Sequence, residues 1–258
     1  MGRYRYLYSQ LVRRELRRKY KGSSLGVLWY LVNPLVLLGA YTLMFGHVVK
    51  VQQIPDFPIF LMIGLVVWTF FQQSLLAAGE SLIDQGSLVR KARFPRQAIP
   101  GASVAVQAVT LCVLLVLLVP LAVILRGTLK PDLALVPLLV VALFAFVLGC
   151  ALLVAALHAF FRDVVPIIGA VLLPWFFITP IFYEPRTIGF VQHHPFVGTA
   201  LEWLNPVAPF IQSLRSILFY GQVPDLGRLL YVAAAATLAL GLGSTVFARL
   251  QGELAVVV

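Results

Sequence analysis

Six long stretches of this chain contain no Asp, Glu, Lys or Arg and consist mainly of apolar residues. A helix needs on the order of 20 apolar residues to cross the hydrocarbon core of a bilayer, and it satisfies its own backbone hydrogen bonds there. The chain is 60% hydrophobic and 12% charged, which is more apolar surface than a soluble domain of this size can bury. The sequence therefore predicts an all-α integral membrane protein with six transmembrane helices. The predicted spans are 25–49, 57–79, 100–125, 133–158, 164–183 and 229–248, in a single transmembrane domain covering 1–258.

The net charge of +10 is concentrated in short segments between the apolar stretches. Lys and Arg are retained preferentially in the cytoplasmic loops of membrane proteins. A cytoplasmic N-terminus places most of the 20 Lys and Arg residues in the cytoplasm, and an even number of spans returns the C-terminus to the same side. We expect a multi-pass membrane protein with both termini cytoplasmic. Nucleic-acid binding is not expected, because that function spreads its basic residues over a soluble fold.

The N-terminal segment 1–21 is predicted to form an amphipathic helix on the cytoplasmic membrane surface. Tyr4, Leu7, Tyr8 and Leu11 fall on one helical arc, and basic residues such as Arg13 and Arg14 lie on the other side. Helices of this kind lie in the plane of the bilayer interface. The alternative is that these charges act only as an orientation signal.

The longest cytoplasmic loop, 80–99, mixes apolar and basic residues. A solvated loop does not need large apolar side chains, so we expect a partner protein to cover them, with an ordinary solvated loop as the alternative. The predicted docking residues are Ile83, Leu88, Val89, Lys91, Phe94 and Pro95.

The segment 184–228 is apolar and aromatic but is interrupted by five prolines: Pro185, Pro195, Pro206, Pro209 and Pro224. Proline breaks a helix, and broken backbone is tolerated at membrane depth where it is buried in protein or lines a cavity. The segment is predicted to form re-entrant half-helices on the outer side. Its aromatic residues also fit an ordinary interfacial belt of Trp and Tyr.

The sequence carries no recognisable catalytic or metal-binding pattern. It has no phosphate-binding loop with the spacing of a nucleotide site, and no Ser, His and Asp set or paired carboxylates within a span. No Cys, His or acidic spacing predicts a metal site. We therefore expect no catalytic residues and no metal. Arg162 and Asp163 stand where the fourth span meets the fifth and are predicted to form a helix-end charge pair.

Several short motifs give the chain a resemblance to the membrane subunits of type-2 ABC exporters that move lipid-linked polysaccharide, such as O-antigen, capsule and teichoic acid permeases. The resemblance covers nearly the whole chain and rests on the order and spacing of the motifs. They are the run from Lys19 to Trp29, Asn33-Pro34, Phe94-Pro95-Arg96, Phe160-Phe161-Arg162-Asp163, Thr179-Pro180-Ile181-Phe182-Tyr183 and Leu204-Asn205-Pro206.

The resemblance implies a homodimer of six-helix subunits around a central channel in the bacterial plasma (inner) membrane. Two ATP-hydrolysing subunits would dock on the cytoplasmic side and carry the ATP and Mg, so this chain itself is expected to bind no cofactor. In such a family the loop 80–99 contains the coupling helix, and the segment 184–228 forms the outer gate. The substrate would be a lipid-linked polysaccharide.

The resemblance also suggests roles for individual side chains. Basic residues near a membrane attract anionic headgroups by about 1 kcal/mol each, and we expect those of the N-terminal helix to attract the diphosphate of the lipid carrier: Arg13, Arg14, Arg17 and Arg18. Flat aromatic faces can hold sugar rings loosely. The predicted channel and outer-gate residues are Trp68, Phe70, Phe71, Trp175, Phe176, Phe177, Phe182, Tyr183, Asn205 and Pro206.

Two other functions fit parts of the sequence. A type-2 ABC exporter of a drug or simple lipid would also have six spans. A polytopic enzyme acting on polyprenyl-phosphate lipids would need acidic or histidine clusters at one membrane face, and the sequence has no compact cluster of that kind.

Overall fold

The computed structural model describes residues 8–16, 29–48, 54–86, 95–127 and 131–253. Every regular element within these ranges is helical, which confirms the all-α fold. Residues 8–16 lie in a first helix, α1. The other helices are α2 (Trp29–Tyr41), α3 (Phe57–Asp84), α4 (Ala98–Arg126), α5 (Leu135–Phe160), α6 (Val164–Ile178), α7 (Gly189–His193), α8 (Pro195–Trp203), α9 (Ala208–Leu218) and α10 (Leu226–Leu250). A π-helical turn, Thr42–Val48, continues α2, and 3₁₀ turns cover Pro131–Ala134 and Pro185–Thr187.

Four helices of the described chain are long and apolar enough to cross a membrane. They are α3, α4, α10 and the continuous helical stretch Asp132–Phe160 that contains α5. Two further apolar helices, Val32–Gly46 and Val164–Ile178, are shorter. The multi-pass membrane protein predicted from the sequence is therefore confirmed, while six crossings remain a prediction.

Helix α3 lies at the centre of the fold. It packs against α2, α4, α5, α6 and α9, and most of its residues are buried inside the protein. From Phe57 to Trp68 the helix is apolar on all sides, and a helix segment of that kind is stable when neighbours surround it. The other three candidate spans leave more of their surface exposed, since α4 and α10 contribute many of the exposed large apolar side chains.

The most extensive helix contact joins α5 and α10. A Cβ atom built on Gly149 would overlap the backbone of Ala239, and one built on Gly243 would overlap the carbonyl of Gly149. Small residues let transmembrane helices approach this closely, and packing of the two backbones replaces the hydrophobic driving force that is missing in lipid. Leu152, Ala155 and Phe247 extend this contact.

Two helix ends differ from the predicted spans. Helix α3 continues past residue 79 to Asp84, because Glu80, Ser81, Leu82 and Ile83 propagate the helix without a breaking residue. Helix α6 ends at Ile178, before the predicted span end at 183. Thr179 has an extended backbone (φ −71°, ψ 133°), as expected for a residue that precedes a proline. The carbonyl groups of Pro180 and Ile181 are thereby freed for partners outside α6.

The connecting segment, residues 179–225 between α6 and α10, is packed rather than loose. All residues of α9 are buried. Arg186 and Glu202 form a bidentate ion pair with two N–O distances of 3.0 Å, and this pairing raises the pKa of Arg186. Arg228 at the start of α10 lies 3.8 Å from the same carboxylate and 3.1 Å from Asp225. The segment is thus tied by charge to the helix that follows it.

Candidate functional site

A cleft of about 460 Å³ opens between α2, α3 and α4. We call it the polar cleft. Its walls combine uncharged hydrogen-bonding side chains with two aromatic ones. The polar lining residues are Asn33, Thr69, Gln72, Gln73, Gln107 and Thr110, and the aromatic ones are Trp29 and Phe70. Amides and hydroxyls donate and accept hydrogen bonds without carrying charge, so this lining suits a ligand rich in hydroxyl groups.

A second cavity of about 290 Å³ adjoins the polar cleft. Gln73 and Gln107 line both cavities, so the two lie side by side. This second cavity, which we call the acidic pocket, is lined further by Glu15, Glu80, Ser81, Asp84, Gln85 and Ser103. The polar surface therefore runs from the middle of α3 to the end of that helix.

Helix α1 closes one side of the acidic pocket. The hydroxyl of Tyr8 donates a hydrogen bond of 3.0 Å to the carbonyl of Gly101 in α4, and burial raises the pKa of Tyr8. The amide of Gln85 donates to the Glu15 carboxylate at 2.6 Å. Leu11 is buried between these contacts. Helix α1 thus contacts both helices that flank the predicted coupling loop.

Arg13 and Arg14 are exposed on α1, as a role in binding headgroups requires, and Arg17 and Arg18 lie outside the described residues. The carrier-binding role stays a prediction.

Arg162 and Asp163 are exposed in the turn between α5 and α6, and their pairing also remains a prediction. Among the predicted docking residues, Ile83 is half-buried and Pro95 is exposed. Leu88, Val89, Lys91 and Phe94 lie outside the described residues.

The end of the loop 80–99, which is predicted to couple to a partner, is held against the C-terminal end of α10. Arg96 donates a hydrogen bond to the carbonyl of Gln251, and the Gln97 amide lies 3.4 Å from the carbonyl of Ser244. The loop therefore returns to the membrane domain at a point where α4 and α10 are joined.

Most of the aromatic residues predicted to line a channel lie in the core of the single chain. Trp68 is 2% exposed, and its ring contacts Phe71, Trp175 and Phe176 at centroid distances of 5.7, 6.2 and 5.7 Å. Phe182 and Tyr183 are buried as well, whereas Phe177 is exposed. Phe70 is the member of this set that lines the polar cleft. Channel lining by the remaining aromatic residues stays a prediction.

Asn205 organises the junction between α6 and α9. Its side-chain oxygen accepts hydrogen bonds from the indole of Trp175 (3.2 Å) and the backbone of Val207 (3.1 Å). Its amide donates to the hydroxyl of Thr179 at 2.8 Å. Pro206 follows in the turn before α9. The motif of Asn205 and Pro206 therefore fixes the corner at which α9 begins.

Arg215 is the principal residue that sequence reasoning missed, because it was counted only as a topological charge. Its side chain is fully buried. The guanidinium donates to the carbonyls of Phe60 (3.2 and 3.3 Å), Pro180 (2.6 Å) and Ile181. It also lies 3.5 Å from the centroid of the Phe60 ring. One side chain thus joins α9, the start of α3 and the extended residues after α6.

The cleft glutamines were missed for a different reason. A search for ionisable residues within the spans passes over Gln72, Gln73 and Gln107, because amides carry no charge. The sequence did contain an indication of the cleft, namely three glutamines in two otherwise apolar stretches. An amide side chain that faces lipid without a hydrogen bond costs free energy, so these glutamines are expected to face protein or water.

Helices long and apolar enough to cross a membrane, packed around a polar cleft, fit a membrane transport protein. The chain belongs to the ABC-2 type transporter family, whose model matches residues 6–219. The resemblance drawn from the sequence motifs is thereby confirmed.

Two curated relatives show the extent of the similarity. The O-antigen export system permease protein RfbA of Myxococcus xanthus is 31% identical over 252 residues, which cover 98% of this chain and 95% of the relative. The protein of the same name from Klebsiella pneumoniae is 31% identical over 226 residues, covering 84% of this chain and 82% of the relative. The similarity therefore includes the cleft and the connecting segment.

Proposed function

We propose that this chain is the membrane subunit of an ATP-driven exporter that moves lipid-linked polysaccharide of the O-antigen type. The observation that carries the proposal is the match, over nearly the full length, to permeases named for O-antigen export. The chemistry of the polar cleft supports it, since sugar polymers present hydroxyl groups and flat ring faces to their surroundings.

The polar cleft forms part of the path of the polymer in this proposal. Gln73 is exposed in the cleft, and Thr69 and Thr110 stand on facing helices. A neutral hydrogen bond contributes about 0.5–1.5 kcal/mol net, because the sugar exchanges it against water. Contacts of that strength hold a polymer loosely and let it slide, while the exposed Trp29 offers a ring face for stacking.

The complete transporter would contain two copies of this chain, each with six crossings. The shorter apolar helices Val32–Gly46 and Val164–Ile178 would supply the other two spans, which are the first and the fifth in chain order. The first of them would need the residues that precede it to reach its full length. Two copies placed with their clefts facing each other would enclose a channel that neither forms alone. The connecting segment would lie at the outer end, where the corner at Asn205 shapes the gate.

The energy for export would come from two separate ATP-hydrolysing subunits that carry ATP and Mg. They would dock on the loop 80–99, whose two flanks are contacted by α1 and α10. The exposed Arg13 and Arg14, with Arg17 and Arg18, would attract the diphosphate of the lipid carrier. In this proposal the transporter would lie in the bacterial inner membrane, with both chain termini in the cytoplasm.

The proposal is tested by purifying the chain with the ATPase encoded beside it, reconstituting the complex, and measuring ATP hydrolysis with and without lipid-linked polysaccharide. We expect the polymer to stimulate hydrolysis. Stimulation by a hydrophobic drug, with no response to the polymer, would contradict the polysaccharide assignment and favour a drug exporter.

A single substitution tests the polar cleft. We expect Gln73→Leu to lower polymer-stimulated hydrolysis and export about fivefold, the equivalent of one hydrogen bond of about 1 kcal/mol. Gln73→Asn keeps the amide and is the matched control, which should retain most of the activity. Equal activity of the two variants in the reconstituted export assay would show that the amide of Gln73 takes no part in transport.

A further inference from the structure

Three helices meet at one closely packed point near the end of α3. A Cβ atom built on Gly79 of α3 would overlap Cγ2 of Val165 in α6 and would lie 3.1 Å from Cγ1 of Val154 in α5. The backbone N–H of Val165 also donates a hydrogen bond of 3.3 Å to Nδ1 of His158 in α5. The first N–H groups of a helix have no partner within that helix. His158 therefore fixes the start of α6 to the end of α5. We call these four residues the α6 junction.

The other end of α6 is bonded to the connecting segment. The indole of Trp175 donates to the side-chain oxygen of Asn205 at 3.2 Å, and the Asn205 amide donates to the hydroxyl of Thr179 at 2.8 Å. The guanidinium of Arg215 donates to the carbonyl of Pro180 at 2.6 Å. The 15 residues of α6 extend about 22 Å at 1.5 Å per residue. This helix thus joins the end of α3 to the connecting segment over that distance.

Between its two ends, α6 has few buried contacts with the rest of the single chain. Its buried residues are Val165, Leu172 and Phe176, whereas α3 is buried over most of its length. Helix α6 is continuous across Pro174, so a displacement of its start also moves its end. Closely packed contacts do not deform gradually. A shift of α3 at Gly79 must therefore displace Val165 or open a gap beside it.

We propose that α6 transmits movements of the loop 80–99 to the connecting segment, and that Val165, packed on Gly79, is the positioning residue for this transmission. The inference rests on the proposed function, because an ATP-hydrolysing partner must move the loop and an outer gate must respond. The loop follows directly on residue 79, whose backbone contacts Val165. Movement there displaces the start of α6, and the hydrogen bonds of Asn205 and Arg215 carry the displacement into the connecting segment.

Gly79→Ala tests the α6 junction, because its methyl group would overlap Cγ2 of Val165. The chain is reconstituted in vesicles with its ATPase, and ATP hydrolysis and polymer export are measured. We expect basal hydrolysis within about twofold of the wild type and export about tenfold lower, as the loss of a typical coupling free energy implies. Adding Val165→Ala should restore most of the export, because the new methyl group would then lie 3.9 Å from the Cβ atom at position 165.

Two controls separate transmission from damage to the fold. Gly169→Ala adds the same methyl group within α6, where it meets only Leu76 at 3.9 Å, and should export like the wild type. Val165→Ala alone should lower export less than Gly79→Ala does, because it loosens the contact without an overlap. If Gly79→Ala lowers basal hydrolysis, melting temperature and export together, and Val165→Ala brings no recovery, Gly79 serves only the packing of the fold and the inference is overturned.

His158 gives a milder test that does not depend on Gly79→Ala being folded. His158→Leu leaves the N–H of Val165 without its acceptor, whereas His158→Asn keeps an acceptor on a short side chain. We expect export per ATP to fall about fivefold in His158→Leu, the equivalent of one buried hydrogen bond. His158→Asn should retain most of the export. Equal export by the two variants would show that this hydrogen bond does not position α6.

A dye on the connecting segment reports the transmitted movement directly. Phe196 is 83% exposed in α8, so Phe196→Cys can carry an environment-sensitive dye once Cys112 and Cys150 are replaced by alanine. We expect ATP to change the dye fluorescence in this background without polymer present, and to change it little when Gly79→Ala is added. Equal ATP responses with and without Gly79→Ala would overturn the inference and leave the export function intact.

The dye experiment also distinguishes the inference from the proposed function. Failure of lipid-linked polysaccharide to stimulate hydrolysis would contradict the polysaccharide assignment. The ATP response of the dye does not require that substrate, so its loss in Gly79→Ala would still support transmission through α6.

Discussion

Arg215→Met is expected to abolish export and to lower the thermal stability of the purified chain. The guanidinium donates to three backbone carbonyls from two different segments, those of Phe60, Pro180 and Ile181. Methionine fills a similar volume but donates no hydrogen bond, and each buried acceptor left without a partner costs about 1–3 kcal/mol. Export in reconstituted vesicles and the melting temperature in detergent measure the two effects.

Arg215→Lys should not restore function. The ammonium group is compact and lacks the planar fork that serves several acceptors at once. The Arg215 guanidinium also lies against the Phe60 ring, a position that favours arginine. Recovery of wild-type export by the lysine variant would show that charge alone is required and would contradict the role of the carbonyl contacts.

Gly64 provides an independent test of the same contact. A Cβ atom at this position would lie 3.0 Å from Nη2 of Arg215 and 3.1 Å from the carbonyl oxygen of Ile181. We expect Gly64→Ala to displace the guanidinium and to reproduce part of the Arg215→Met defect, at a cost of about 1–3 kcal/mol for overpacking. Gly169→Ala is the matched control, since its new methyl group would meet only Leu76 at 3.9 Å.

Gly243→Leu is expected to have the second large effect, which is the separation of α5 from α10. The site has no room for a side chain, because even a Cβ atom would overlap the carbonyl of Gly149. In lipid, close backbone packing is the main source of helix association, so we expect loss of the folded protein rather than a partial loss of activity. The fraction of monodisperse protein after detergent extraction, measured by size-exclusion chromatography, reports the effect.

Gly241→Leu is the control for this prediction. It introduces the same side chain on the same helix, at an exposed position with no atom within 4 Å of the added Cβ. This variant should be extracted and should elute like the wild type. Similar losses for both variants would mean that leucine is harmful anywhere on α10, and the close contact with Gly149 would then not explain the result.

The sequence predicted the helical membrane fold because hydrophobicity adds up over stretches of about 20 residues, so that single polar residues do not hide it. Four of the six predicted spans correspond to helices that are long and apolar enough to cross a bilayer. The other two are shorter as regular helices: α2 gives way to a π-helical turn after Tyr41, and α6 ends at Ile178, before Pro180. Hydropathy detects the absence of charge but does not show where a helix stops.

The candidate site was harder to derive, because its features depend on contacts between distant residues. Trp68 and Phe176 are predicted channel residues, and in the single chain both are buried and in contact with each other. The number of aromatic residues in a span does not distinguish packing in the core from lining of a channel. The polar cleft needs residues of α2, α3 and α4 to meet. The role of Arg215 depends on hydrogen bonds to the carbonyls of Phe60, Pro180 and Ile181. These residues lie far from Arg215 in the sequence, so no sequence pattern connects them with it.

The length of α3 has a consequence for the acidic residues at its end. Its 28 residues extend about 42 Å at 1.5 Å per residue, whereas the hydrocarbon core of a bilayer is about 30 Å thick. Even a tilted α3 therefore projects beyond the hydrocarbon layer, and its last turns reach the hydrated headgroup zone. Glu80 and Asp84 can keep their carboxylates wet there, while Trp68, halfway along the same helix, stays at the level of the acyl chains.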